Sequence, residues 1–294
     1  MRQVVLVIFC IEDTTSAYVR DGAMFFQHDY HQLLKCRNVI AHYHSSTNDL
    51  PSQQIIVRDH GDPVHSSLKH DLTHRSFETL CMSSTREFPP ERYEYVIAMQ
   101  CHGYIDEFRT YTYNKTGKRQ RVHIIKSTDM CDILLRCYHT KINAIILDNC
   151  YMSTLENAVA FMPVTDYLIA SQSEMPYRGF VSCAKNLDTS IQTRDGLKRI
   201  VKDFVCWHRA RSSELCDDAD GTLLHLPHVI AFLRSCNRIK INVGTLCTIN
   251  DSKLHDVVCL FRPSKKSLKK FIVFRMQHSK PGVRTTSGIS LSLQ

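Results

Sequence analysis

The side chains of this sequence best suited to covalent chemistry are a histidine and a cysteine that each follow a short apolar run. Tyr95-Val96-Ile97-Ala98-Met99-Gln100 leads into Cys101-His102-Gly103, and Asn143-Ala144-Ile145-Ile146-Leu147 leads into Asp148-Asn149-Cys150. A thiol needs help to become a nucleophile, because a free cysteine with a pKa of roughly 8.5 is only a few per cent thiolate at neutral pH. A neighbouring imidazole can take that proton and later return it to a leaving amine. Backbone N–H groups of Gly103 and Cys150 are then candidates to bind the oxyanion formed when a carbonyl is attacked. Glycine after the histidine lets a substrate chain pass close to the backbone. A helix starting directly behind Cys150, at about residue 151, would lower the thiol pKa through the positive end of its dipole. A second His-Gly pair, in Val57-Arg58-Asp59-His60-Gly61-Asp62-Pro63, competes for the role of base.

Such chemistry requires the two runs to lie side by side. Short β-branched runs bounded by turn-forming residues read as buried strands of a parallel sheet, and ligands gather at the carboxyl ends of such strands. Runs of this kind occur at about 3–11, 37–43, 53–58, 93–100, 143–148, 166–171 and 256–262. Consecutive strands are often adjacent, which favours His102 over His60 as the partner of Cys150. Helical periodicity covers 23–36 and 66–81, the latter through Leu68, Leu72, Phe77 and Leu80. The N-cap cluster Ser127-Thr128-Asp129 opens another helix, continued by Ile133, Leu134 and Tyr138. Met152, Leu155, Val159 and Met162 outline a helical face just after Cys150, and Leu197, Ile200, Val201, Phe204 and Trp207 outline one more. Between the histidine and cysteine strands, 108–113 and 118–124 alternate about Asn114-Lys115-Thr116-Gly117 and predict a β-hairpin. The expectation is an α/β fold with a central, mostly parallel sheet and helices on both faces.

The 294 residues, 43% hydrophobic and 22% charged, describe an ordinary globular chain and exclude a disordered one. The net charge of +8 resides in the tail: from Val257 onward there are eight Lys and Arg and no acid. An anionic partner, nucleic acid or lipid, would suit this tail. Lys265-Lys266-Ser267-Leu268-Lys269-Lys270-Phe271-Ile272-Val273-Phe274 reads either as a membrane-surface segment or as an edge strand with solvated lysines. The 13 cysteines include no C-x-x-C, which excludes a zinc ribbon or thioredoxin-type site and suits an intracellular, cytoplasmic setting. His42 and His44, two apart on a strand, could chelate a metal; the plainer reading is a pair of solvent-facing histidines. Val4–Ile11 is expected to be the first buried strand rather than a signal core, and no run is long enough for a membrane-spanning helix. A polar, aspartate-rich stretch, Glu214–Gly221, divides residues 1–210 from an extension, 211–294, of the same domain. Nothing in the sequence indicates an oligomeric state.

With these residues in view, Leu147-Asp148-Asn149-Cys150-Tyr151-Met152-Ser153-Thr154-Leu155-Glu156-Asn157-Ala158 resembles the nucleophile segment of clostripain-like cysteine peptidases. The likeness runs on through Asp166–Gln172. Upstream it takes in Pro89-Pro90-Glu91-Arg92-Tyr93 and Gly61-Asp62-Pro63, so that it spans roughly residues 1–210. The resemblance implies a caspase-like fold and an endopeptidase acting on peptides or proteins, with His102 as acid and base and Cys150 as nucleophile. It implies no required cofactor, while admitting Ca2+. It further implies that Asp148 lines the pocket for the residue on the acyl side of the scissile bond and pairs with Arg or Lys, and that Ser171 lies beside the substrate. Three residues depart from the pattern: Asn149 replaces alanine, Cys101 stands where asparagine or serine is usual, and Arg178 replaces a small or acidic residue. Arg178 is expected to neutralise Asp148 and weaken selection of basic residues. Two other functions fit the same residues: an inactive binding module using the basic tail, and a transamidase using the same acyl-enzyme. Lys115, Lys118, Arg119 and Arg121, between the histidine and cysteine segments, offer a site for self-cleavage.

Overall fold

The computed structural model describes residues 2–12, 35–45, 52–68, 74–113, 119–175, 178–210, 219–235, 248–249, 251–256, 263–278 and 288–292. In chain order the elements are β1 (Gln3–Glu12), β2 (Val39–Ser45), β3 (Gln53–Val57), β4 (Val64–Ser67), α1 (His74–Glu87), β5 (Tyr93–Gln100), β6 (His102–Tyr104), β7 (Glu107–Tyr113) and β8 (Arg119–Lys126). They continue with α2 (Ser127–Cys137), β9 (Ile142–Asp148), α3 (Leu155–Phe161), β10 (Thr165–Ala170), α4 (Phe180–Cys183), α5 (Leu187–Ser190) and α6 (Arg194–Arg209). The C-terminal part supplies β11 (Ala219–His225), a 3-10 turn (Leu226–His228), α7 (Val229–Ser235), β12 (Thr248–Ile249), β13 (Asp251–Asp256), α8 (Lys265–Phe271), β14 (Ile272–His278) and β15 (Ser290–Ser292).

The large sheet has the order β14-β11-β10-β9-β5-β1-β2-β3-β4. Its centre, β10-β9-β5-β1-β2, is parallel, while β3, β4 and β11, β14 add antiparallel flanks. Alternation along the strands divides the core in two. Val5, Val7, Phe9, Ile97, Met99, Ile145 and Leu147 face one layer with Phe77, Leu134 and Phe161, whereas Leu6, Ile8, Val96, Ala98, Ala144 and Ile146 face the other with Leu197, Ile200 and Phe204. The fold is therefore the α/β sandwich expected, with β1 central rather than peripheral. A second sheet, β6-β7-β8, contains the predicted hairpin, whose tip at 114–118 lies outside the described residues.

Several local expectations are corrected. The helix placed at 66–81 is displaced: Ser66 and Ser67 end β4, and α1 begins at His74. Ser127 is already helical, and Asp129 turns back to the backbone N–H of Lys126 at 3.4 Å, so the cap lies one residue earlier. Lys265–Phe271 is neither an edge strand nor part of one; it is a short helix capped by Ser264, with Phe271 buried, and the edge strand is β14 after it. His42 and His44 are buried, not solvent-facing. His42 Nε2 lies 3.1 Å from Gln54 Oε1, and burial lowers its pKa to about 4. Val159 is exposed rather than on the buried face of α3. The helical pattern at 23–34 and the run at 257–262 lie outside the described residues.

Candidate active site

The parallel register of β5 and β9 pairs Gln100 with Asp148 at their carboxyl ends. Two residues beyond each stand His102 and Cys150, which consequently emerge at the same rim on neighbouring strands. His60 follows β3, whose direction opposes β2, and its N–H bonds to the carbonyl of Arg37 just before β2. It therefore occupies the opposite rim, and the competition for the base is decided by strand direction.

The histidine and cysteine turns are fitted to each other. A Cβ added to Gly103 would stand 2.6 Å from Asn149 Cβ, 2.7 Å from the Cys150 carbonyl oxygen and 2.8 Å from Met152 Cγ. Real Cβ atoms do not approach backbone so closely, so the absence of a side chain there is what lets the two turns touch. Asn149, fully buried, donates through Nδ2 to the Cys101 carbonyl at 2.7 Å and approaches Cys101 Sγ at 3.1 Å. The two departures from the family pattern thus compensate one another. Burial pushes the Cys101 thiol up to about 12, the Asn149 contact offsetting part of this, so Cys101 stays protonated beside Cys150.

Cys150 does not sit at a helix N-terminus. Tyr151–Thr154 intervene, and Thr154 caps α3 by accepting from the Asn157 N–H at 3.2 Å. Tyr151 adopts φ 57°, a left-handed conformation that costs on the order of 1–2 kcal/mol for a non-glycine residue and turns the chain sharply after the thiol. Ile105, on the histidine side, has φ 63°. Asn157 holds both bends, donating to the carbonyls of Ile105 at 2.5 Å and Met152 at 2.8 Å. Its own carbonyl oxygen accepts from Ser127 at 2.5 Å. The Met175 N–H donates to Cys150 Sγ at 3.3 Å. Burial nevertheless raises the thiol pKa above its ordinary value; the Met175 N–H draws it down, and the Glu174 carboxylate pushes it up. The expected activation by a helix dipole is replaced by one aimed amide.

The other anticipated residues behave differently. Asp148 is buried and its carboxylate accepts from the N–H groups of Phe180 at 2.5 Å and Val181 at 3.3 Å, which ties β9 to the start of α4. Arg178 does not pair with it: its guanidinium stacks 4.7 Å from the centre of the Trp207 ring. Ser171 is fully buried, and its hydroxyl donates to Asp220, which also accepts from the Gln172 N–H at 2.9 Å. Its side chain braces the rim instead of facing a substrate. Among the described residues no group of three or more His, Cys, Asp or Glu converges as a metal site. Asn157, Glu174 and Met175 escaped the sequence reading. Polar residues following the end of β10 were the only available signal for the latter two.

Comparison with known proteins agrees with this geometry. Residues 81–205, which carry both candidate residues, match the clostripain family. No curated protein sequence matches the chain. A secreted C11 cysteine protease from Bacteroides thetaiotaomicron, solved with an irreversible peptide inhibitor, superposes with a TM-score of 0.75 at 11% identity, covering 99% of this chain and 92% of that one. A second structure of a secreted C11 cysteine protease from the same organism, iotapain, gives 0.72 at 15% identity, over 99% and 93%. An inactive zymogen C11 protease from Parabacteroides distasonis gives 0.71 at 16% identity, over 100% and 93%. At these identities the structures establish the shared fold, and the family match falls on the segment where the histidine and cysteine meet. The chain is a clostripain-like cysteine peptidase, a cysteine-type endopeptidase of C11 protease fold.

Proposed function

We propose that this endopeptidase works through Cys150 as nucleophile and His102 as acid and base, and that it cleaves after Arg or Lys. The observation that carries the reading is the pairing of Gln100 with Asp148, which brings the ends of β5 and β9 level. His102 takes the thiol proton, Sγ adds to the carbonyl carbon, and the oxyanion meets the N–H groups of Gly103 and Cys150. The imidazolium protonates the departing amine, and water then hydrolyses the thioester with His102 as base. The raised thiol pKa means that ionisation is completed by the imidazole when substrate is bound. Preference for basic residues is supported by the carboxylates of Asp148 and Glu174 at this rim, since a charge-assisted bond selects Arg or Lys over neutral side chains.

The test is labelling with an acyloxymethyl-ketone probe ending in arginine, alongside hydrolysis of fluorogenic peptides. Wild type should label at Cys150, and Cys150→Ala and His102→Ala should each lose several orders of magnitude in kcat/KM, as members of one catalytic unit do. Addition of EGTA should leave the rate unchanged. Retained hydrolysis in Cys150→Ala would sink the assignment.

A further inference from the structure

The two carboxylates at the catalytic rim are in opposite circumstances. Asp148 is buried, both of its oxygens accept backbone N–H bonds, and Gly179 closes over it so tightly that a Cβ there would lie 2.4 Å from Asp148 Cγ. A guanidinium could reach it only by displacing the start of α4. Glu174 is exposed. It immediately precedes Met175, whose N–H touches the reacting sulfur, and its negative charge is felt by the thiol. Tyr151 donates its hydroxyl to Glu174 Oε1 at 3.0 Å, so the carboxylate is held in place and keeps lone pairs for another donor. Around Cys150 stand the side chains of Tyr104, Ile105 and Tyr151, the two tyrosine rings meeting edge to face at 6.3 Å. The nearby Arg109 is already paired with Glu107 at 2.6 Å and does not neutralise the site.

An apolar wall with one anchored carboxylate beside the nucleophile fits a long aliphatic stem ending in a cation. We propose that Glu174, and not Asp148, is the residue that reads the Arg or Lys side chain on the acyl side of the scissile bond. Asp148 is a positioning residue that fixes the segment opening α4. This inference rests on the peptidase reading above and names the specificity determinant of the same site.

The experiment uses the full chain and two fluorogenic peptides that differ only in their last residue, arginine or its uncharged isostere citrulline. Wild type should favour arginine strongly in kcat/KM. In Glu174→Gln that preference should shrink by about ten- to hundredfold, the worth of one charge-assisted bond, with Tm within a degree or two of wild type. In Asp148→Asn the arginine-to-citrulline ratio should persist while Tm falls. A wild-type ratio in Glu174→Gln overturns the inference. So does an Asp148→Asn protein of unchanged Tm that has lost the preference. A wild type indifferent to charge, with Cys150→Ala inactive, overturns the inference and leaves the mechanism standing; an active Cys150→Ala overturns the mechanism beneath it.

Discussion

The chemistry of this rim depends on contacts measured in tenths of an ångström. Gly103 touches the backbone of Cys150 and the side chains of Asn149 and Met152, with no room for a methyl group. Adding one must push the histidine turn away from the cysteine turn. A displacement near 1 Å at reacting groups can cost on the order of a hundredfold in rate. Gly103→Ala is therefore expected to reduce kcat/KM by about that factor, while Tm falls only modestly because the contact is local. Steady-state kinetics and a thermal melt on the same preparation check this. A Gly103→Ala enzyme with wild-type kcat/KM would show that the turns are not held by that contact. Asn149 and Cys101 illustrate the same interdependence: each departs from the family pattern, and each is the other's hydrogen-bond partner.

At the level of elements, β2 carries a polar pair into the interior. His42 and His44 lie on one face of β2, with ring centres 6.1 Å apart, and both are buried. Burial lowers the His42 pKa from 6.5 to about 4, opposed by the contact with Gln54. The unfolded chain takes up this proton near pH 6.5, whereas the native state resists it until about pH 4. Native stability is consequently intact above the unfolded pKa and lost as the pH falls through this window, by about 3 kcal/mol for this group. Tm should fall between pH 6.5 and 4, and the fall should be shallower in His42→Gln. Parallel curves for the two proteins would refute the assignment. Sequence spacing correctly put the two histidines on one face of a strand. It missed their burial because what covers a face is contributed by distant parts of the chain.

Across the whole molecule, the C-terminal segment reaches back to the catalytic rim. The Ser290 N–H donates to the Ser153 carbonyl at 2.9 Å, and the Ser153 hydroxyl donates to the Gly288 carbonyl at 2.5 Å. Ile289 is fully buried in the same core as Met152 and Leu155. The Gly288 N–H donates to Gln172 Oε1 at 2.8 Å, which links the segment to the Ser171–Asp220 network as well. Removing residues 288–294 would strand the bonding groups of Ser153 and open a cavity where Ile289 sits, a loss of a few kcal/mol. The truncated chain is expected to melt several degrees lower and to hydrolyse peptides at least tenfold more slowly. Wild-type kinetics after truncation would show that the nucleophile loop stands without this brace.

Short-range pattern was enough to determine the layered architecture and the position of the reactive pair. Alternation and β-branched runs define β1, β5, β9 and β10, and the residue following each run necessarily emerges at a strand end. The functions of Asp148, Ser171 and Arg178 were decided only by tertiary structure. Their partners are Phe180 and Val181 across a turn, Asp220 on an antiparallel strand and Trp207 on α6. The late start of α3 follows from Thr154 being capped in place and from Asn157 bonding to Ile105, which lies 52 residues earlier. A side chain's type limits the bonds it can make, but which bond it makes depends on what the fold brings within 3 Å of it.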